Sequence, residues 1–172
     1  MKNKKISDKL KKIKLFVTDF DGVHTNGKVC VDQNGVESVV CSRKDGLGFD
    51  MLKKNNIKSC IISKEKNPVV AERAKKLNIP YFARVENAEK KLDIFKQIIS
   101  DFGLKQEETL FMGDDINDID CLKFAGVSVV VADCHPSLEK IADYQTKNKG
   151  GDHAIREAVE MVLNAQNCKI KF

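Results

Sequence analysis

The sequence predicts an α/β fold, a doubly wound, Rossmann-like parallel sheet with one β-hairpin inserted and no second domain. Three observations predict it. Short apolar runs at residues 15–18, 57–62, 109–112 and 127–131 alternate with stretches of helical periodicity. The run Val127 to Val131 is almost continuously apolar, as strands covered on both faces are. A single hairpin signal, Asn34-Gly35, lies between the first strand and the first core helix.

Bulk properties bound the problem first. The chain has 172 residues, 42% of them hydrophobic and 32% charged, which suits one soluble domain with a real core. No stretch reaches the roughly 18 apolar residues of a membrane span, and the N-terminus lacks the apolar region of a secretory signal, so a cytoplasmic protein is expected. The net charge is +5, but residues 1–14 hold seven lysines and one aspartate, leaving 23 basic and 24 acidic residues elsewhere. The body is therefore near neutral. Residues 1–12 read as a basic flexible extension ahead of a single domain over 13–172, and nucleic acid is not an expected partner. Six cysteines show no CxxC pair and no zinc spacing with the three histidines, so they read as reduced, mostly buried residues.

Each element follows in order. Leu15 to Thr18 is an apolar strand that delivers Asp19 and Asp21 to its C-terminal end, where Gly22 turns the chain. Residues 28–41 form the hairpin, and a two-residue turn at Asn34-Gly35 sets Val31 opposite Ser38 and Val29 opposite Val40. Apolar residues on both faces predict cover from the core on one side and from another subunit on the other. Asp45 is the expected N-cap of a helix whose inner face carries Phe49 and Leu52. Ile57 to Ile62 is a strand ending at Ser63, Pro68 opens a helix to Leu77, and Ile79 to Phe82 is a short strand. Asn87 to Phe102 is a helix stopped by Gly103, with Leu92, Phe95, Ile98 and Ile99 on its inner face. Strand 109–112 breaks at Gly113-Asp114-Asp115, then helix 118–124 leads to strand 127–131. Helix 136–142, an extended piece at 144–146 and helix 153–166 complete the chain.

Three of the apolar strands end in polar residues: Asp19 with Asp21, Ser63, and Asp114 with Asp115 and Asp118. Right-handed crossovers bring such ends to one rim. Carboxylates gathered there repel one another, which a hard cation such as Mg²⁺ relieves. With Mg²⁺ between Asp19 and Asp114, Asp19 is placed to attack a bound phosphate, and Asp21 to protonate the leaving oxygen and later deprotonate water. Ser63 and a lysine would hold phosphate oxygens. Lys91 is preferred because it stands just ahead of the first apolar residue of its helix, near an N-terminus where a lysine serves anions better than the helix; Lys90 is the alternative.

Asp19-Phe20-Asp21-Gly22-Val23-His24-Thr25 and Gly113-Asp114-Asp115-Ile116-Asn117-Asp118 resemble the first and fourth motifs of the haloacid dehalogenase superfamily of phosphatases. The resemblance implies Asp19 as nucleophile and metal ligand, and Asp21 as acid/base that also binds metal through its carbonyl. It further implies Asp114 as a metal ligand, with Asp115 and Asp118 supporting. No segment is left to build the usual cap domain. That is similar to the capless branch of octulosonate 8-phosphate and nonulosonate 9-phosphate phosphatases, which implies a homotetramer joined through hairpins. Residues 44–48, 132–136 and 150–157 are further marks of that branch. Thr25, Lys44, Glu65, Lys66 and Arg73 are the substrate-binding residues it implies. The expected activity is Mg²⁺-dependent hydrolysis of a phosphorylated 2-keto-3-deoxy sugar acid. A non-catalytic oligomerising module and a broad-range phosphatase are the alternatives. His24 is expected to pack or touch substrate, and His135 to fix its loop.

Overall fold

A computed structural model describes residues 2–168. Six parallel strands form the sheet: β1 (Leu15–Thr18), β4 (Lys58–Ile62), β5 (Tyr81–Phe82), β6 (Thr109–Gly113), β7 (Val127–Val130) and β8 (Tyr144–Gln145). Two further strands, β2 (Cys30–Val31) and β3 (Glu37–Ser38), make the separate hairpin. The sheet order β5-β4-β1-β6-β7-β8 puts β1 beside both β4 and β6. Strand order reverses there, so the crevice beyond the carboxyl ends of β1 and β6 is where this topology binds ligands. Every residue of β1 is buried, as an uninterrupted apolar run in a central parallel strand requires.

The helices are α1 (Lys2–Leu10), α2 (Arg43–Lys54), α3 (Val69–Leu77), α4 (Ala88–Asp101), α5 (Ile119–Phe124) and α6 (Ala154–Ala165). α2 packs on α6 and α6 on α1, while α4 packs on α5. The 136–142 segment is only a 3₁₀ turn over Pro136–Leu138. No helix among the described residues is long and apolar enough to cross a membrane.

Three further expectations are corrected. The basic N-terminal segment is not a loose extension: it forms α1, Leu10 and Ile13 are buried, and Lys9 Nζ lies 2.7 Å from Asp143 Oδ1. Ile6 and Leu10, packed on the core, and the ion pairs from Lys9 to Asp143 and from Lys12 to Glu107 outweigh the charge run that suggested solvation. The N-cap of α2 is Ser42, whose hydroxyl accepts from Lys44 N and Asp45 N. Asp45 instead reaches across to α6 and accepts from Arg156 N at 2.8 Å, capping a helix whose own N-cap residue, His153, offers no side-chain bond.

The hairpin register is also displaced by one residue, with Val31 opposite Glu37 and Cys30 opposite Ser38. Asp32 causes the shift. Its carboxylate accepts from Asn34 N and Val36 N, both at 2.8 Å, and its carbonyl accepts from Gly35 N at 3.0 Å. The loop therefore takes three residues, closed by Gly35 at φ +77°. Val39 and Cys41 rest on a small core of Phe20, Ile61, Val70 and Ala74. Val29, Val31, Val36 and Val40 stay exposed.

Candidate active site

The site begins where β1 runs out. Asp19 is buried, its backbone N–H donates to Met112 O, and its Oδ1 accepts from Phe20 N at 2.6 Å. Its Oδ2 lies 2.8 Å from Lys91 Nζ. Lys91 comes from the first turn of α4 and is wholly buried, and it also sits 2.6 Å from Asp118 Oδ1. Asp118 uses its second oxygen, Oδ2, to accept from Asp114 N at 3.0 Å. One lysine thus ties the end of β1 to the loop after β6. Lys90 is exposed and lies 3.8 Å from Asp93, so the structure brings Lys91 and not Lys90 to the acids.

Gly22 lets the turn after β1 close. It has φ +73°, and a Cβ there would overlap the Asp114 carboxylate. One carboxylate oxygen from each of Asp19, Asp114 and Asp118 lies within 4.8 Å of the others. Burial and the neighbouring charges of Asp19 and Asp118 push Asp114 up to about 8, the signature of a carboxylate set short of positive charge. Such an all-oxygen set fits a hard divalent cation. Asp19 and Asp114 border a small hollow beside the cluster and Asp118 does not, so Asp19 and Asp114 are the side chains suited to hold the ion. Burial also opposes the charge on Lys91, but Asp19 and Asp118 outweigh it and hold its pKa above the ordinary lysine value. Burial, with Asp19, raises Asp118 above the ordinary carboxylate value while Lys91 pulls the other way.

Asp21 is half-buried beside this cluster, and burial followed by repulsion from Asp19 and Glu65 lifts it to about 6. It faces a cavity of about 530 Å³ that also touches Asp19, Ser63, Lys64, Glu65, Lys66, Asp115, Ile116 and Asn117. A smaller hollow of about 250 Å³ adjoins it, with Asp114 and Gly22 on its wall. Ser63 is buried at the end of β4 and its Oγ accepts from Glu65 N at 3.0 Å. The hydroxyl keeps its proton free to donate.

Several expected contacts with substrate are not found within the chain. Thr25 is buried and its Oγ1 accepts from Gly22 N and Gly27 N, so it staples the turn and does not line the cavity. Lys44 is exposed on α2, away from the cavity. Arg73 donates from Nη2 to Ser42 O at 2.8 Å and faces a separate cavity of about 390 Å³ between α2 and α3. Glu65 reaches the cavity, but its carboxylate accepts from Lys66 N and Asn67 N and closes its own turn. Asp115 lines the cavity while accepting from Ile116 N. Only Lys66 of the five implied substrate-binding residues both lines the cavity and has no turn-closing side-chain bond among the described residues.

His24 is packed rather than presented to substrate. Its ring stacks between Phe20 and Phe49 at centroid distances of 5.4 and 5.3 Å, and Nε2 lies 2.8 Å from Thr18 Oγ1. Burial, with the Arg73 charge adding, drives its pKa down to about 3, so it is neutral at physiological pH. His135 fixes its loop through Ser137. Sequence reasoning missed Asn117, whose Nδ2 is 3.5 Å from Asp19 Oδ2. The signal was its position three residues after Asp114, on the short 3₁₀ turn Ile116–Asp118 that also carries Asp118.

A family model for haloacid dehalogenase-like hydrolases matches residues 52–159. The 3-deoxy-D-manno-octulosonate 8-phosphate phosphatase KdsC of Salmonella typhi is 32% identical, covering 94% of this chain and 85% of that protein. The chain belongs to the haloacid dehalogenase-like hydrolases. Within that family it is a phosphatase, and solved structures agree. The 3-deoxy-D-manno-octulosonate 8-phosphate phosphatase of Yersinia pestis superposes with TM-score 0.90 at 29% identity, covering 94% of this chain and 86% of that one. The corresponding Moraxella catarrhalis enzyme, solved with magnesium, phosphate and the sugar acid, gives TM-score 0.90 at 31% identity, with coverage of 95% and 92%.

Proposed function

We propose that this phosphatase is Mg²⁺-dependent and hydrolyses a phosphorylated 2-keto-3-deoxy sugar acid through an aspartyl-phosphate. The observation that carries the reading is the buried Lys91 bridge between Asp19 and Asp118, with Asp114 and Asp21 at the same rim. Asp19 and Asp114 would hold the metal, together with the Asp21 carbonyl. When bound, the cation supplies neutralisation of phosphate and carboxylate charge that otherwise keeps the two apart.

The chain's own residues do the rest. Ser63 Oγ donates to a phosphate oxygen, and Lys91 holds the Asp19 carboxylate in place while adding positive charge. An Asp19 oxygen attacks phosphorus as the ester P–O bond breaks, and Asp21 gives its proton to the departing sugar oxygen. Asp21, now ionised, takes a proton from water, whose oxygen attacks phosphorus and releases Asp19 and inorganic phosphate. A carboxyl near pKa 6 can serve in both directions close to neutral pH. Lys64 and Lys66 at the cavity mouth suit the carboxylate of a sugar acid. The exposed valines of the hairpin suit assembly into a homotetramer.

The test is a steady-state comparison of octulosonate 8-phosphate, a nonulosonate 9-phosphate and p-nitrophenyl phosphate. A sugar-acid phosphate should exceed the aryl ester by roughly a hundredfold in kcat/KM, the effect of two good polar contacts. Equal efficiency on all three overturns the substrate reading. Asp19→Asn should abolish turnover while the far-ultraviolet circular dichroism stays native, and retained turnover overturns the mechanism.

A further inference from the structure

The hairpin is bonded to the loop that forms the wall of the active-site cavity. Asn67 Nδ2 donates to Glu37 Oε2 at 3.2 Å, across 30 residues of sequence. Asn67 is itself a junction. Its Oδ1 accepts from Val69 N at 3.1 Å at the entry to α3, and its backbone N–H donates to Glu65 Oε1 at 2.7 Å. Glu65 continues the path, because its own N–H donates to Ser63 Oγ at 3.0 Å and its Oε1 also accepts from Lys66 N at 2.6 Å. An unbroken series of hydrogen bonds therefore runs Glu37, Asn67, Glu65, Ser63, from an exposed hairpin strand to the hydroxyl at the end of β4.

We infer that Glu37 is a positioning residue for phosphate binding: through Asn67 and Glu65 it holds the Ser63–Asn67 loop and so aims the Ser63 hydroxyl and the Lys66 chain at the cavity. The loop needs such an anchor. Lys64 and Lys66 are exposed, and residues 63–67 belong to no helix or strand. Their backbone is held on one side by β5 and the residues after it, through Ser63 N to Phe82 O and Arg84 N to Glu65 O. On the other side the side-chain contact from outside the loop is Glu37. A loop tied at both sides loses less entropy when phosphate binds, so releasing one tie appears as weaker binding, with less effect on the chemical step.

The inference needs only the phosphatase activity, so p-nitrophenyl phosphate and inorganic phosphate are the probes. Glu37→Ala should raise KM for p-nitrophenyl phosphate and Ki for phosphate together, by roughly three- to tenfold, the range of one ordinary exposed hydrogen bond, with kcat changed less than twofold. Glu37→Gln keeps an acceptor for Asn67 and should restore both constants. Asn67→Asp keeps the Val69 cap but sets a carboxylate against Glu37, and should be worse than Glu37→Ala. The double variant Glu37→Ala/Asn67→Asp should return to the level of Glu37→Ala alone, because the repulsion is gone. Light scattering should show one oligomeric state for all four. Unchanged KM and Ki in Glu37→Ala, failure of Gln to rescue, additive effects in the double variant, or an oligomeric state different from the parent's each overturn the inference.

Discussion

Replacing Lys91 by Met deletes the ammonium and keeps most of the buried volume. In the native protein Lys91 Nζ stands 2.8 Å from Asp19 and 2.6 Å from Asp118, and all three side chains are nearly excluded from solvent. Without the cation, two carboxylates whose oxygens lie within 4.8 Å of each other remain in the interior. At an effective dielectric constant of about 20 their repulsion is ~3.5 kcal/mol, within the roughly 3 to 5 kcal/mol lost when one partner of a buried pair is removed. The penalty depends on pH. Burial and Asp19 already hold Asp118 above the ordinary aspartate value near 3.8 in the folded protein, and loss of Lys91 raises it further. A carboxyl whose folded pKa exceeds its unfolded one favours the folded state below the unfolded value and loses that advantage as pH rises through the folded value. Lys91→Met should therefore cost about 3 kcal/mol at pH 8 and clearly less at pH 5. Urea unfolding in chelator at both pH values, with native circular dichroism as the baseline, measures it. Equal stability of variant and parent at pH 8, or the same loss at both pH values, refutes the electrostatic account of the bridge.

Two further outcomes follow from the acids. Asp21→Asn should lower kcat by about 10² to 10⁴, as loss of a general acid/base does, and should erase the pH limb near 6. That limb should take opposite signs in the parent: with a poor sugar leaving group, activity falls above the pKa because protonated Asp21 is needed, and with p-nitrophenyl phosphate it falls below, because deprotonated Asp21 must activate water. Burial and neighbouring charge keep Asp114 largely protonated below about 8, so binding of Mg²⁺ displaces a proton. Calorimetry in buffers of different ionisation enthalpy should show that release and a dissociation constant that tightens by up to about tenfold per pH unit between 6 and 8. PH-independent affinity would count against Asp114 as the ligand.

The alternation of strand and helix, the all-parallel sheet and the acids at the strand ends were all readable in advance, because each depends on local pattern: apolar runs, glycine breaks and the i, i+2 spacing of Asp19 and Asp21. The hairpin shows where that reading stops. Asn34-Gly35 announces a tight turn, yet Asp32, two residues earlier, captures two backbone donors and enlarges the loop, which shifts every cross-strand pair by one. The residues assigned to substrate by family pattern divide similarly. Thr25 and Glu65 spend their side chains on turns, and Arg73 spends one guanidinium donor on the α2 cap. The motif at residues 44–48 also acquires a structural reason in Asp45, which caps α6 from 111 positions away.

Sequence alone determined the fold class and the identity of the acids, since hydrophobic period and residue chemistry are properties of the chain in order. Only the tertiary structure decided which lysine serves Asp19, because Lys90 and Lys91 are neighbours with the same chemistry. They point about 100° apart on α4, so that one faces solvent and the other enters the crevice between Asp19 and Asp118. That choice rests on the helix's rotation against the sheet, which is set by burying Phe95, Ile98 and Ile99.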